Sequence, residues 1–197
     1  SIPVSAKNLS KYQIILASNS PRRKELLQRL GIPFKVRTLF GIDEHYPSSL
    51  RGEDIVNYIS RIKAQAYRSS MGENELLITA DTIVSLDGEV MGKPHNAEEA
   101  KAMLRTLSGK MHQVITGVTV TTFERTESFA VTSHVRFAEL DESEIDYYVE
   151  NFLPFDKAGA YGIQDWIGLV AVEELRGSYF NVVGLPVQRL YQCLKRF

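Results

Sequence analysis

Basic and acidic side chains recur beside predicted strands, turns and helix starts, in a pattern that suits a phosphate-bearing ligand. Arginine and lysine neutralise phosphate oxygens, and a pair of carboxylates can hold a divalent cation through oxygen ligands. Such a cation polarises a phosphoryl oxygen and lowers the pKa of a bound water. The pattern predicts metal-assisted attack of water on a phosphoanhydride. The residues concerned are the cations Arg22, Arg23, Lys63 and Lys93 and the acids Glu44 and Asp81.

Motifs of several other chemistries are absent from the sequence. It has no GxxxxGK[ST] phosphate loop, no GxGxxG dinucleotide fingerprint and no kinase signature set. Because it also lacks a GxSxG elbow, acyl transfer through an activated serine has no support. His112 and His134 are isolated and show no metal-ligand spacing, so we interpret them as structural residues.

The first strand, turn and helix of the chain form a candidate anion site. The apolar run Ile14–Ala17 predicts a short buried strand. Ser20 suits the N-cap of the following helix and Pro21 its first position, while Gly31 supplies a left-handed stop. Free N–H groups, the positive end of the helix dipole and Arg22-Arg23 would together bind a polyphosphate.

A carboxylate interrupts the most apolar strand of the chain. Leu76–Leu86 predicts a strand buried on both faces, and Asp81 falls in its middle. An isolated carboxylate there is costly unless it is paired, bound to metal or lining a cleft, although a structural use such as bonding to turn amides stays open. Asp87-Gly88 then predicts a type I′ hairpin turn. Depending on register, the returning strand brings Lys93 back towards Asp81.

Glu44 and Lys63 each have two interpretations on local sequence. Glu44 lies in a loop after a strand predicted at Phe34–Leu39, where it is either functional or an ordinary solvated acid. Lys63 shares the apolar face of a helix predicted at Glu53–Tyr67, and its ammonium either snorkels to solvent or points into a cleft. The apolar residues of that face are Ile55, Ile59, Ile62 and Ala66.

The second half of the chain alternates helices and strands around one loop of small residues. Asp156–Gln164 carries two glycines, so it is either a segment that lets a ligand approach the backbone or a tight structural turn. The amide of Gln164 is able to hydrogen-bond a base edge. Helices are predicted at Ala97–Leu107, from Asp141 to about Glu150 and after Pro186, and strands at Gln113–Phe123, Ser128–Phe137 and Leu169–Leu175.

Composition limits the class of partner. The 197 residues are 44% hydrophobic, enough for one domain or two closely packed lobes. Lys and Arg total 23 against 24 Asp and Glu, which argues against a general nucleic-acid or membrane-surface binder. The single Cys193 fits a reducing cytoplasm, and Ser1–Lys11 lacks the apolar core of a signal peptide. We expect a cytoplasmic protein.

The sequence resembles the Maf-like nucleotide pyrophosphatases over almost its whole length. The motif segments are Leu16–Leu27, Gly41–Glu44, Ala80–Val84, Gly92–Pro94, Leu107–Gly109 and Thr116–Val118. The first and third of these are highly specific in combination. Two later segments, Asp156–Gln164 and Gly177–Pro186, resemble the subgroup acting on dTTP and UTP.

The resemblance implies a fold and a reaction. The fold is an α/β structure related to the inosine triphosphate pyrophosphatases, with a mixed twisted central sheet flanked by helices and two closely packed lobes around a cleft. We expect residues 1–197 to form a single Maf-like domain, commonly dimeric in the family, so a homodimer is the expected assembly. The reaction is hydrolysis of a nucleoside triphosphate to the monophosphate and pyrophosphate with a divalent cation, Mg²⁺ or Mn²⁺.

The resemblance also assigns roles to individual residues. Asp81 falls at the position of the family's proton acceptor, which activates water for attack on the α-phosphate, and Glu44 with Asp81 would hold the metal. The positions tied to substrate choice are Arg22, Thr82 and Gln164. The phosphate-binding positions are Ser18, Arg23, Lys63 and Lys93. Trp166, close after Gln164, departs from the relatives and could narrow a base pocket.

Two other functions stay open on the sequence. One keeps the reaction but acts on modified purine nucleotides such as 7-methyl-GTP, whose subgroup carries an acidic residue near the position of Gln164. The other is a non-catalytic nucleotide-binding regulator of cell division, since Maf-like proteins are associated with inhibition of septum formation. A sensor would not need an acid in a core strand beside a metal ligand, so Asp81 favours the enzyme.

Overall fold

The computed structural model describes residues 2–38 and 40–197, and these fold into one mixed sheet with flanking helices. The strands are β1 Gln13–Leu16, β2 Lys35–Val36, β3 Glu75–Leu86, β4 Glu89–Met91, β5 Met111–Thr121, β6 Thr126–Phe137 and β7 Val172–Arg176. The helices are α1 Pro21–Arg29, α2 Glu53–Arg68, α3 Ala97–Leu107, α4 Glu142–Phe152, α5 Trp166–Ala171, α6 Tyr179–Val183 and α7 Val187–Leu194. Short 3₁₀ helices cover Val4–Lys11 and Ala158–Ala160.

The sheet mixes parallel and antiparallel pairs, as predicted. Its strand order is β2-β1-β3-β5-β6-β7, with β4 paired to β3. β1 runs parallel to β2 and to β3, in a register that pairs Leu16 with Ile78. β4 returns antiparallel to β3, and β7 runs antiparallel to β6. Consecutive residues of β3 are buried, so both of its faces are covered, which explains why its sequence is a nearly continuous apolar run.

The described residues divide into two compact units. Unit 1 comprises Ser1–Asp81, Thr116–Val131 and Gly184–Phe197, and unit 2 comprises Thr82–Ile115 and Thr132–Val183. Strands β3, β5 and β6 each contribute residues to both units. In unit 1, Ile15, Tyr67, Met71 and Leu77 belong to one buried cluster, and in unit 2 a larger cluster includes Leu104, Phe137 and Tyr148. The single domain, the close packing of two lobes and the cleft stay predictions.

Several local features agree with the sequence pattern. Ser20 caps α1 by accepting a hydrogen bond from Arg23 N, and Asn96 caps α3 in the same way. Asp141 begins α4 in a complete capping box with Glu144. The β3–β4 turn uses positive φ at Asp87 and Gly88, as a type I′ turn requires. Because these signals are local, the sequence alone is sufficient to predict them.

Three predictions about elements were wrong. The strand expected at Phe34–Leu39 is limited to the exposed pair of residues in β2, and Leu39 lies outside the described residues. Leu169–Leu175 was predicted as a strand, but its first residues belong to α5. Ile167 and Ala171 are buried four residues apart while Leu169 is 85% exposed, which is helical periodicity. Ala66 is exposed and does not belong to the buried face of α2.

The two histidines lie on β5 and β6, as expected of structural residues. His112 is buried, and its Nε2 lies 2.6 Å from the Tyr161 hydroxyl. Burial lowers the pKa of His112 to about 4, so its ring is neutral at physiological pH. His134 Nε2 lies 3.2 Å from the Gln113 amide nitrogen.

Among the described residues, no helix combines the length and the hydropathy that crossing a membrane requires.

Gly117 on β5 determines how closely α2 approaches the sheet within unit 1. A Cβ placed on Gly117 would lie 2.5 Å from the carbonyl carbon and oxygen of Val56 and 2.8 Å from Asn57 N. These neighbours are backbone atoms, so no side-chain rotation relieves the contact. Since Val56 lies seven residues before Lys63 on α2, the absence of a side chain at Gly117 helps to place that lysine.

Gly117→Ala is therefore expected to lower the free energy of unfolding by about 3 kcal/mol, at the upper end of the overpacking range. Urea denaturation followed by circular dichroism measures the change. Gly72→Ala is the matched control, because a Cβ there meets nothing closer than 3.6 Å. If the two alanine variants unfold at the same urea concentration, the close approach of β5 to α2 is not a constraint on the fold.

Candidate active site

Asp81 lies on β3 at the point where its burial is interrupted. Its side chain is 13% exposed. Ala80, directly before it, and Ile83, two residues after it, are both buried. One carboxylate oxygen, Oδ1, accepts a hydrogen bond of 3.3 Å from Lys63 Nζ. The carboxylate is thus shielded from solvent and paired with a cation, which meets the condition for keeping a charge in a core strand.

Lys63 points its ammonium at β3, which decides between its two interpretations. Its Nζ donates to the Ala80 carbonyl at 2.9 Å as well as to Asp81, and the side chain is only 17% exposed. Burial lowers the pKa of Lys63, and the Asp81 charge opposes that shift. Arg23 lowers the pKa of Lys63 further by repulsion, and Glu44 raises it. An ammonium held in this way is a fixed positive charge beside the acid of β3.

Glu44 reaches the same ammonium from a loop. Its Oε2 lies 3.9 Å from Lys63 Nζ, and its side chain is 49% exposed. Two carboxylates from distant parts of the sequence therefore meet at one lysine. The contact places Glu44 beside the Lys63–Asp81 pair, and its functional role stays a prediction.

The turn before α1 is organised by its own hydroxyl groups. Ser18 Oγ accepts from Ser20 N at 3.1 Å, and Ser20 Oγ accepts from Arg23 N at 3.3 Å. Arg22 and Arg23 are half-buried at the start of the helix. The prediction of free N–H groups at this helix start is not met at Arg23 and Lys24, because Arg23 N donates to Ser20 Oγ and Lys24 N to the Ser20 carbonyl. What the turn offers an anion is the pair of arginine side chains at the positive end of the α1 dipole, and its role as an anion site stays a prediction.

Arg23 is held in place by the far end of the chain. Its Nε donates to the Gly184 carbonyl at 2.8 Å, across 161 residues of sequence. Burial lowers the pKa of Arg23, with Asp81 opposing the shift and Arg22 adding to it. Even a lowered pKa leaves a guanidinium charged at neutral pH. Gly184 has φ of +137°, a conformation that disfavours any residue with a side chain.

A chain of buried hydroxyl groups connects α2 to the strand that carries Asp81. Thr79 Oγ1 donates to the Ser60 carbonyl at 2.7 Å, and the Ser60 hydroxyl lies 2.7 Å from Thr119 Oγ1. Thr79 precedes Asp81 by two residues and Ser60 precedes Lys63 by three, so the bond sits directly beside the Lys63–Asp81 pair. Sequence reasoning missed these residues, although a threonine at the centre of an apolar strand was a usable signal.

The remaining candidate residues belong to unit 2. Thr82 is half-buried on β3, while Lys93 and Gln164 are exposed. Lys93 follows β4 by two residues, and the carbonyl of the preceding Gly92 accepts from Gly159 N at 3.1 Å. The structure thereby brings the segment of Lys93 together with the Asp156–Gln164 loop. That the hairpin also brings Lys93 near Asp81 stays a prediction.

The acidic side chains of the site suit a divalent cation that is held by few protein ligands. Among the described residues no group of three or more His, Cys, Asp or Glu side chains is arranged to hold a metal. Glu44 and Asp81 nevertheless both contact Lys63, so two carboxylates are available at one point. Mg²⁺ typically takes one or two carboxylates and completes its shell with water and substrate phosphates. The residues fit a cation bound in that way, and do not fit an all-protein metal cage.

These features place two acids and several partly buried cations in one unit of a mixed α/β fold. The chain belongs to the Maf family: the model of the Maf-like protein family matches residues 13–197. It is 61% identical over 190 residues to a dTTP/UTP pyrophosphatase of Phocaeicola vulgatus, covering 96% of this chain and 98% of that protein. It is 53% identical over 192 residues to a dTTP/UTP pyrophosphatase of Porphyromonas gingivalis, covering 96% of each.

A solved structure supports the fold assignment. The HAM1 protein of Coxiella burnetii superimposes with a TM-score of 0.52 at 13% sequence identity, covering 94% of this chain and all of that one. At that identity the likeness concerns the fold alone. It agrees with the α/β architecture expected from the sequence.

Proposed function

We propose that this chain hydrolyses dTTP and UTP to the corresponding monophosphate and pyrophosphate. The observation that carries the proposal is the contact of Lys63 with both Asp81 and Glu44, beside the Arg22-Arg23 turn in the same unit. Relatives that are more than half identical over nearly their full length bear the name of that activity. A carboxylate paired with a buried cation is suited to proton transfer next to a polyanion.

In this mechanism Asp81 accepts a proton from water as the water oxygen attacks the α-phosphorus. The bond from the α-phosphorus to the bridging oxygen of the β-phosphate breaks, and pyrophosphate leaves. Lys63 holds the Asp81 carboxylate in place and offsets negative charge at the reacting phosphate. Arg22, Arg23 and Ser18 bind the phosphate tail through the start of α1. Neither arginine exchanges a proton in this scheme, because guanidinium stays charged.

A divalent cation, Mg²⁺ or Mn²⁺, belongs to the proposal through the family resemblance. Glu44 and Asp81 would hold it, with the remaining ligands drawn from substrate and water. When bound, such a cation polarises a phosphoryl oxygen and neutralises charge on the leaving group. Lys93 and Thr82 complete the proposed substrate-binding set. We further propose a homodimer, which light scattering on the purified chain would check.

Release of pyrophosphate tests the proposed function directly. The purified protein is incubated with each of the canonical nucleoside triphosphates and with 7-methyl-GTP, in Mg²⁺ or Mn²⁺ and in excess EDTA. We expect pyrophosphate and monophosphate from dTTP and UTP with the metal, and none with EDTA. Preferred cleavage of a purine nucleotide would identify the other subgroup, and tight binding of nucleotide without cleavage would identify a sensor.

Gln164 is proposed to read the pyrimidine base. Thymine and uracil present a ring N–H flanked by carbonyls, and a primary amide both donates and accepts hydrogen bonds there, whereas a carboxylate only accepts. Gln164→Glu is therefore expected to lower kcat/KM for dTTP and UTP by about 10²-fold, since a lost bond to a buried polar edge leaves that edge unpaired. Gln113→Glu on β5 controls for the added charge. Unchanged ratios among the nucleotides would remove Gln164 from base selection.

A further inference from the structure

One buried hydroxyl group contacts residues on both sides of Gln164, a backbone N–H before it and a side-chain carboxylate after it. Tyr148 on α4 is fully buried, and its Oη accepts a hydrogen bond of 3.0 Å from Gly162 N. The same Oη donates to Asp165 Oδ2 at 2.7 Å. Gln164 lies between these two residues in sequence and is itself exposed. The hydroxyl therefore ties down the segment while leaving the side chain of Gln164 available to a ligand.

Close packing leaves this segment little freedom. A Cβ on Gly162 would lie 2.7 Å from Lys157 Cε and 3.0 Å from Asp165 Oδ2, so the glycine is wedged between two side chains. A Cβ on Gly168 would lie 1.7 Å from the Ile163 carbonyl oxygen, so α5 presses directly on the residue before Gln164. The close backbone contact between Gly168 and Ile163 restricts the conformation of the segment directly before Gln164.

The residues before Gly162 are fixed as well. Tyr161 is buried, and its hydroxyl lies 2.6 Å from Nε2 of the neutral His112. Gly159 and Ala160 have φ of +69° and +64°, a strained conformation for alanine that surrounding contacts must maintain. A loop that only connected two elements would need neither the strain nor this number of anchors. Preorganised loops of this kind are typical of ligand recognition.

We infer that Tyr148 is a positioning residue for base selection, its hydroxyl fixing the backbone around Gln164 so that the amide meets the pyrimidine edge in one orientation. The inference rests on the proposed function, because it assumes that Gln164 contacts the base. A glutamine side chain has several rotatable bonds, so its amide discriminates between bases only if the backbone is already placed. Phenylalanine in place of Tyr148 can neither accept from Gly162 nor donate to Asp165.

The test compares kcat/KM for dTTP and dGTP in Tyr148→Phe. The dTTP:dGTP ratio should fall at least tenfold, which corresponds to about 1.4 kcal/mol of discrimination. Both substrates meet the same population of active enzyme, so partial unfolding of the variant cancels in the ratio. Tyr147→Phe is the matched control: it removes the hydroxyl of the adjacent, 48% exposed tyrosine and keeps the ring that packs on Trp166, so its ratio should stay at the wild-type value.

Asp165→Ala supplies a second test at a residue that is itself only half-buried. It removes one of the two partners of the Tyr148 hydroxyl, so the ratio should shift in the same direction by a smaller factor. A wild-type ratio in both Tyr148→Phe and Asp165→Ala, to within about twofold, would overturn the inference while leaving the proposed function intact. If Tyr148→Phe does not fold, the ratio in Asp165→Ala decides alone. If the wild-type chain releases no pyrophosphate from any nucleotide, the proposed function fails, and the inference fails with it.

Discussion

Replacing Asp81 with asparagine is expected to lower kcat for pyrophosphate release by about 10³-fold, the range lost when a general base is removed. Asparagine has nearly the same shape as aspartate but cannot accept a proton from water, and it also weakens the proposed metal site. The variant should stay folded. An amide oxygen still accepts from Lys63, and the other neighbours of Asp81 on β3 are unchanged. Stopped assays with dTTP measure kcat, and thermal unfolding measures whether the variant stays folded.

Asp87→Asn is the matched control for this prediction. Asp87 lies at the end of the same strand, in the exposed turn between β3 and β4, with φ of +50°. Asparagine tolerates that conformation well, and Asn-Gly is a preferred type I′ pair, so the control makes the same change of charge without strain. Its kcat should match the wild-type value. Activity of Asp81→Asn within tenfold of wild type would remove Asp81 from the role of proton acceptor.

Local sequence was sufficient where the structural cause is local. The N-caps at Ser20 and Asn96 follow from side chains that bond to amides three residues away. The turn at Asp87-Gly88 follows from two adjacent residues that accept positive φ. Asp81 stood out because its charge interrupts an apolar run, and charge in a buried strand demands a partner. None of these predictions required knowledge of the tertiary structure.

The partners themselves could not be predicted from the pattern. Lys63 on an apolar helix face is compatible with snorkelling or with an inward ammonium, and only the packing of α2 beside β3 decides. The bond from Arg23 to the Gly184 carbonyl joins residues 161 positions apart, through a backbone atom that every residue type possesses. The two hydrogen bonds of Tyr148 could not be predicted from the sequence either, since a tyrosine on an amphipathic helix is usually a core packing residue.

Short apolar runs were the other source of error. Leu169–Leu175 alternates too little to separate strand from helix, and a six-residue helix occupies its first half and the residues before it. Edge strands are equally difficult to predict, because few contacts define where they end. β2 pairs with β1 through two residues only, and both are exposed. In each case the missing information is tertiary packing, which overrides the local preference.

Lys63 makes two hydrogen bonds to β3. Its ammonium binds the backbone carbonyl of Ala80 and the side chain of the next residue, Asp81, so it fixes both the strand and the acid. The Thr79–Ser60 hydrogen bond reinforces the same junction from one turn earlier on α2. Positive charge placed in this way is preorganised, and preorganised charge stabilises a developing phosphate charge without reorganisation cost.

Lys63→Met is therefore expected to lower kcat/KM for dTTP by about 10²- to 10³-fold, the cost of losing one preorganised charge donor.

Lys63→Arg should keep part of the activity and change the pH dependence of that activity. Because burial lowers the pKa of Lys63, the wild-type enzyme should lose activity on the alkaline side below the usual lysine pKa of 10.5. Arginine does not deprotonate in that range, so the alkaline loss should disappear in Lys63→Arg. Initial rates across alkaline pH measure it.

Lys63 makes the free energy of unfolding rise with pH, while it makes activity fall. This difference distinguishes deprotonation of Lys63 from unfolding as the cause of an alkaline loss of activity. With a lowered pKa in the folded state, Lys63 binds fewer protons there than in the unfolded chain, so its contribution to the free energy of unfolding rises with pH across that window. Alkaline inactivation through Lys63 should thus occur without unfolding. Lys110→Met, a change at an exposed lysine, should leave rate and profile unchanged. If Lys63→Arg loses activity at alkaline pH as the wild type does, Lys63 is not the titrating group. The loss would then come from another residue or from the substrate.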